Sequence, residues 1–340
     1  MPDNSPPKNL AAEIARKRQA PSEMKLLGLS PNSKMLGLFG MNKRVIAVSD
    51  AALYDVKMAD WIDPERTNPS LNNMQRKISK RGASSPSVSR TILTAEVLSQ
   101  PGFIRELDRE ALLGLAMNGA LCLSSMDDDS DAISAFEQSV VDNIDRIDPI
   151  GVSVIVPYHD GLEARVKSFF QSSIHCLQSL LDISALFYGD GCKKGYFEGL
   201  RDHLKHSRKD EVFSDYLKRN LNFIKFLREV RNAIEHPKLN KIMVIQNYRL
   251  LPSGDIGGPT FELIHPSVAH PEVGLPSFLV QIIDSLATLY EEVLVQLFDN
   301  NSENFGEVKF GVVRIPPERM RYGSVRYELS ITNLPSIAED

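Results

Sequence analysis

The chain has 340 residues, 42% of them hydrophobic, and a formal net charge of -5. That length supports one large domain or two modest ones with a sizeable core, and the acidic balance excludes a protein coated all over with basic charge. No run approaches the ~18 apolar residues of a membrane span, and the first residues lack the basic start and apolar run of a secretory signal. The three cysteines, Cys122, Cys176 and Cys192, are odd in number and widely spaced, so they indicate neither a disulfide framework nor a zinc site. The expectation is a cytoplasmic protein with reduced thiols, no membrane association, no metal and no cofactor.

Residues 1–90 are rich in Pro, Ser, Asn, Lys and Arg, and 77–87 has linker composition, so this stretch reads as a largely disordered or loosely ordered arm. Its exception is Val45-Ile46-Ala47-Val48 followed by Ala51-Ala52-Leu53-Tyr54, enough for one short element. Helical spacing begins at Thr91, and 91–150 reads as a helical accessory region. Within it Asp127-Asp128-Asp129-Ser130-Asp131 lacks the Gly and distal Glu of a calcium loop and reads as the start of a helix near Ala132, where acids suit the positive end.

Gly161 opens the strongest helical region, whose broad apolar face runs from Leu162 to Leu186 and is closed by Gly189-Asp190-Gly191. A shorter helix is expected over 196–205 and a longer one over 212–235, stopped by Pro237. Strands follow at 241–250 and 260–264, with Ser253-Gly254 and Gly257-Gly258-Pro259 as turn signals. A helix over 276–298 and two strands, at 308–313 and 325–331, close the chain. The predicted class is mainly α (α+β): a helical bundle over 151–300, a β-hairpin insertion at 241–265, and a strand pair in 301–340.

One run carries chemistry. Arg231-Asn232-Ala233-Ile234-Glu235-His236 stands at the end of the predicted 212–235 helix. Histidine titrates near neutrality and moves protons; arginine is a permanent planar cation suited to a phosphate gathering negative charge. On an ideal helix Arg231 and His236 lie about 140° apart, whereas Asn232 and His236 lie about 40° apart. Pro237 frees His236 from strict helical geometry. Asn232 is then expected to fix the imidazole tautomer, and Glu235 to hold Arg231 four residues back. A second Arg-x4-His spacing, Arg201 to His206, lacks the Asn and reads as chance on a solvated helix.

The run resembles the Arg-x4-His signature of the HEPN superfamily, in its Arg-Asn form, and the resemblance extends over about residues 161–300. It implies a metal-independent endoribonuclease leaving cyclic phosphate ends, a toxin or defence effector by analogy, with Arg231, Asn232 and His236 as its catalytic residues. It also implies a homodimer in which two Arg/His pairs line one cleft, with RNA as substrate and a cognate inhibitor unspecified. Two other readings stand beside it: a non-catalytic HEPN-like module that binds RNA, nucleotide or protein, and a dimerisation scaffold. Locally, His236 also reads as a plain cap on the last helical carbonyls.

Charge favours RNA modestly. From Lys193 to Lys241 there are thirteen Lys and Arg against seven Asp and Glu, a segment of +6 in a chain of -5. Arg228, Lys238 and Lys241 are the residues expected to meet RNA phosphates. His203 and His206 read as a surface pair, His265 and His270 as surface loop residues, and His175 and Cys176 as core or near-core. The glycines around Asp190 lack the Lys-Ser/Thr of a phosphate loop.

Overall fold

Helix accounts for about 53% and strand for about 21% of the described residues, an α+β mix with several small antiparallel sheets. This is a computed structural model, and it describes residues 8–19, 28, 31–102, 104, 106–143, 153–205, 210–303, 306 and 308–333. The chain forms two units, Met1–Ser85 with Pro316–Arg326, and Pro86–Ile315 with Tyr327–Asp340. No helix among the described residues is long and apolar enough to cross a membrane.

Over its described residues the first unit is folded, which corrects the reading of residues 1–90 as a largely disordered or loosely ordered arm there; residues 1–7, 20–27 and 29–30 lie outside the described residues. After helix α1 (Lys8–Gln19) come strands β1 (Met35–Met41), β2 (Arg44–Ser49) and β3 (Leu53–Lys57), the short helix α2 (Ala59–Ile62) and strand β4 (Met74–Ser79). The strands form one antiparallel sheet in chain order. Asn42 and Lys43, with φ of 48° and 53°, make the two-residue turn that pairs Met41 with Arg44. Two positive-φ residues are what a tight hairpin turn requires. Ile46, Val48, Leu53, Tyr54 and Val56 are buried.

Overall composition misled because the charges are spent internally. Asp55, fully buried in β3, lies 3.5 Å from Arg44 and 3.1 Å from Arg76. Arg18 of α1 reaches Asp60 at 2.7 Å and Asp63 at 3.0 Å. Half of the linker-like stretch 77–87 belongs to β4 and the turn after it, where Ala83 N donates to Ser49 O at 2.9 Å. From the far end of the chain, Tyr322 sets its ring where a Cβ on Gly37 would stand, 2.5 Å from Cε1.

The second unit opens with α3 (Pro86–Val88), a π turn (Ser89–Leu93) and α4 (Thr94–Leu98). Four long helices dominate it: α5 (Arg109–Val141), α6 (Leu162–Tyr188), α8 (Glu211–Glu235) and α9 (Leu275–Asn301), with the short α7 (Tyr196–Leu204) before α8. α5 packs on α6 and α9, α6 on α8 and α9, and α8 on α9. Leu112, Leu123, Phe169, Phe170, Leu227, Leu286 and Leu294 are among the side chains they bury.

α5 is thus a bundle helix and not an accessory element. Asp108 caps it, accepting from Ala111 N at 2.9 Å. The acidic run lies in its middle rather than at a helix start. Its acids find partners on other elements: Ser87 donates to Asp127, and Arg165 of α6 stands 3.5 Å from the nearly buried Asp129. Those contacts override the local preference for a helix N-terminus.

The predicted hairpin is present and larger than expected. β5 (Ile242–Gln246) pairs with β8 (Thr260–Ile264) from Ile242↔Ile264 to Gln246↔Thr260. Between them β6 (Arg249–Leu250) pairs with β7 (Ile256–Gly257), and beyond β8 lies β9 (His270–Gly274). His270 therefore belongs to a strand, and His265 is buried; neither is the surface loop residue that its prolines suggested. β8 turns Phe261 and Leu263 into the bundle, Phe261 lying 5.5 Å from Phe170 and 4.8 Å from Phe278 between ring centres. β10 (Lys309–Arg314) and β11 (Tyr327–Asn333) form the expected antiparallel pair.

Candidate functional site

α8 ends where the sequence placed its motif. Its last hydrogen bond runs from the backbone N–H of His236 to Asn232 O at 2.9 Å. His236 itself has left the helix, with φ -134° and ψ 62°, because the proline after it disfavours helical backbone. Arg231 Nη2 lies 2.7 Å from Glu235 Oε2, and His236 Nε2 lies 4.0 Å from the same oxygen. One carboxylate therefore gathers the two side chains. Both are accessible, the His236 side chain being 73% exposed and that of Arg231 38%.

Glu235 holds Arg231 as expected. Asn232 does not face His236: its Nδ2 donates to Glu229 Oε2 at 3.3 Å. The ring of His236 makes no hydrogen bond to a last-turn carbonyl among the described residues; the backbone N–H, which every non-proline residue has, makes that bond.

Behind the motif lies a cluster that the sequence reading missed. Glu229, with a side chain only 13% exposed, has His265 Nε2 at 3.4 Å, Lys241 Nζ at 3.9 Å and Arg228 Nε at 3.6 Å from its two oxygens. A signal for part of it was present: Glu229 and Asn232 are three apart on one helix, a spacing that puts side chains in reach. Nothing local foretold His265, thirty-six residues on from Glu229.

Burial pushes the Glu229 carboxyl up, but the Asn232 amide and the nearby Lys241, Arg228 and His265 outweigh it and hold it below its ordinary value. A folded value below the unfolded one contributes stability that is present above the unfolded value, about 4.3, and is lost as pH falls through the folded one. The difference in urea midpoint between wild type and Glu229→Gln should therefore be full near neutrality and shrink as the pH drops below about 4.3. A gap that widens in acid would mean that Glu229 is not a stabilising carboxylate.

The basic residues are partly spoken for. Arg228 also faces Glu198 at 3.7 Å and sits 5.9 Å from the centre of the Tyr196 ring. Arg201 and Lys205 pair with Asp202, and Lys193 with Asp182 and Asp190. Lys194, Lys218, Lys225 and Lys238 have no ion pair among the described residues. Of the three residues expected to touch phosphates, Lys238 has no ion pair among the described residues, while Arg228 and Lys241 face Glu229.

The comparison motif and the other histidines add little. His206, with Arg208 and Lys209, lies outside the described residues. His175 is exposed, against expectation, whereas Cys176 beside it is buried. Among the described residues no group of three or more His, Cys, Asp or Glu side chains is placed to hold a metal ion.

Compared with protein-family models, with curated proteins and with solved structures, the chain matches none.

Proposed function

We propose that this protein is a metal-independent endoribonuclease of HEPN type, built on a HEPN-like bundle of α5, α6, α8 and α9 with the β5–β8–β9 sheet inserted between the motif helix and the closing helix. The observation that carries the reading is the convergence of Arg231 and His236 on Glu235 Oε2, at 2.7 and 4.0 Å, on the accessible end of α8. His236 would move the proton between the 2′-hydroxyl, the phosphate and the leaving oxygen. Arg231 would neutralise the phosphate as charge builds, once that phosphate displaces Glu235. The role as a toxin or defence effector rests on analogy alone.

The expected result is cleavage of labelled RNA in excess chelator to fragments ending in cyclic phosphate. The composite site requires two copies, so light scattering at tens of micromolar should give the mass of a homodimer with two-fold symmetry. A monomer would remove the shared-cleft arrangement; purified protein that binds RNA and cuts none would replace the nuclease with a binding module.

One observation favours that second reading. In the single chain the guanidinium of Arg231 is already engaged by Glu235, and the amide of Asn232 points to Glu229. A pair so engaged suits a phosphate-binding or dimer contact as well as catalysis. Binding without cleavage, unaffected by His236→Ala, is the result expected of such a module.

A further inference from the structure

We infer that Glu229 is a positioning residue for the Arg231–His236 site: it orients the Asn232 amide and pins the chain that carries His236. The inference rests on the nuclease reading for its catalytic consequence, but its structural half stands on its own geometry.

Four nitrogen-bearing side chains surround this one carboxylate, two from α8 itself and two from beyond it. Asn232 comes from the next turn of α8, and Arg228 from the residue before. Lys241 comes from the foot of β5, and His265 from just past the end of β8. His265 fixes its own tautomer. Its Nδ1 accepts from the backbone N–H groups of Ser267 and Val268, both at 3.2 Å. The proton of the neutral ring then sits on Nε2, the atom facing Glu229 at 3.4 Å. This nitrogen is shut off from solvent and makes no hydrogen bond among the described residues; the Glu229 carboxylate, 3.4 Å away, is an acceptor that it faces, and a buried donor left facing nothing is costly.

The consequence reaches the motif by two routes. With Nδ2 given to Glu229, Asn232 is left with its Oδ1, which has no partner among the described residues. That makes it an acceptor beside Arg231, suited to a ribose hydroxyl. The second route is the turn. His236 is tied at its backbone to Asn232 O, and the following turn is closed by Lys238 N to Lys241 O at 3.0 Å and Lys241 N to Lys238 O at 2.8 Å. The side chain of Lys241 then returns to Glu229. His236 is held between two anchors on α8, and Glu229 is one of them.

A carboxylate is specifically required, since every group around it donates. Glutamine would turn an NH2 toward donors; aspartate would keep the charge one methylene short.

The test uses the full chain with Glu229→Gln and Glu229→Asp. NMR follows the Asn232 side-chain amide and the His265 ring nitrogens, alongside kcat and KM for RNA cleavage and the melting temperature. In Glu229→Gln both sets of resonances should move. kcat should fall about a hundred-fold, as expected when a site residue is misplaced by about an ångström, while KM stays nearly constant. Glu229→Asp should restore the His265 tautomer signature and recover most of kcat.

Unmoved Asn232 and His265 resonances in Glu229→Gln would overturn the inference. So would an unchanged kcat, or a loss of folding in both variants that makes Glu229 a purely structural residue. Wild type that cuts no RNA defeats the nuclease reading instead, and the resonances then decide the positioning role by themselves.

Discussion

His236→Ala and Arg231→Ala should each lower RNA cleavage at least about a hundred-fold while melting within a degree or so of wild type. On the proposed nuclease reading, the first removes the proton-transfer group, a loss of about a hundred- to ten-thousand-fold, and the second removes the charge that would meet the developing phosphorane, a loss of similar order. The stability half of this expectation comes from the structure. His236 is largely exposed, and its one hydrogen bond into the helix is made by backbone N–H, which alanine keeps. Arg231 loses an exposed pair with Glu235 four residues on, a kind of contact worth about 0.3–0.5 kcal/mol. A ring acting as a helix cap would instead make His236→Ala destabilising by about 1 kcal/mol. Arg201→Ala is the matched control, since Arg201 pairs with Asp202 and not with the motif. Equal loss of activity in Arg201→Ala would show a general charge effect and remove the special status of Arg231.

The parts of the fold legible in the sequence were those whose signal is local. α6, α8 and α9 showed apolar faces at helical spacing, and Gly189 and Pro237 marked two of their ends. β5 with β8, and β10 with β11, showed as apolar or alternating runs separated by turn residues. What failed was decided by distant partners. Asp55 looks like solvated charge until Arg44 and Arg76 are placed around it. The acids of α5 look like a helix start until Ser87 and Arg165 take them.

The site followed the same rule. Arg231, Glu235 and His236 were readable because three or four residues and one proline set their relation. The bond of Asn232 to Glu229 spans three residues of α8 and was within reach of local spacing; the arrival of His265 depends on where β8 ends relative to α8, which no window of sequence contains.

That placement makes the second large expectation one of stability. Phe261→Ala should destabilise the protein by about 3–5 kcal/mol in urea unfolding, the usual cost of emptying a buried phenylalanine site. Phe261 is the bolt between the inserted sheet and the bundle. It is fully buried, and its ring centre lies 5.5 Å from Phe170 of α6, 6.3 Å from Phe226 of α8 and 4.8 Å from Phe278 of α9. These rings come from three separate helices, so no one of them can close the gap without moving its helix, and partial relaxation leaves a cavity. The register ties this to the site, because His265 follows four residues after Phe261, one residue beyond the end of β8. Amide exchange in Phe261→Ala should therefore quicken across β8 and the 265–270 connection more than in α5, and the Asn232 side-chain amide should shift as His265 loosens from Glu229. A cost below about 0.5 kcal/mol, the range of surface changes, would mean that the sheet is an appendage folded apart from the bundle. The motif would then owe nothing to it.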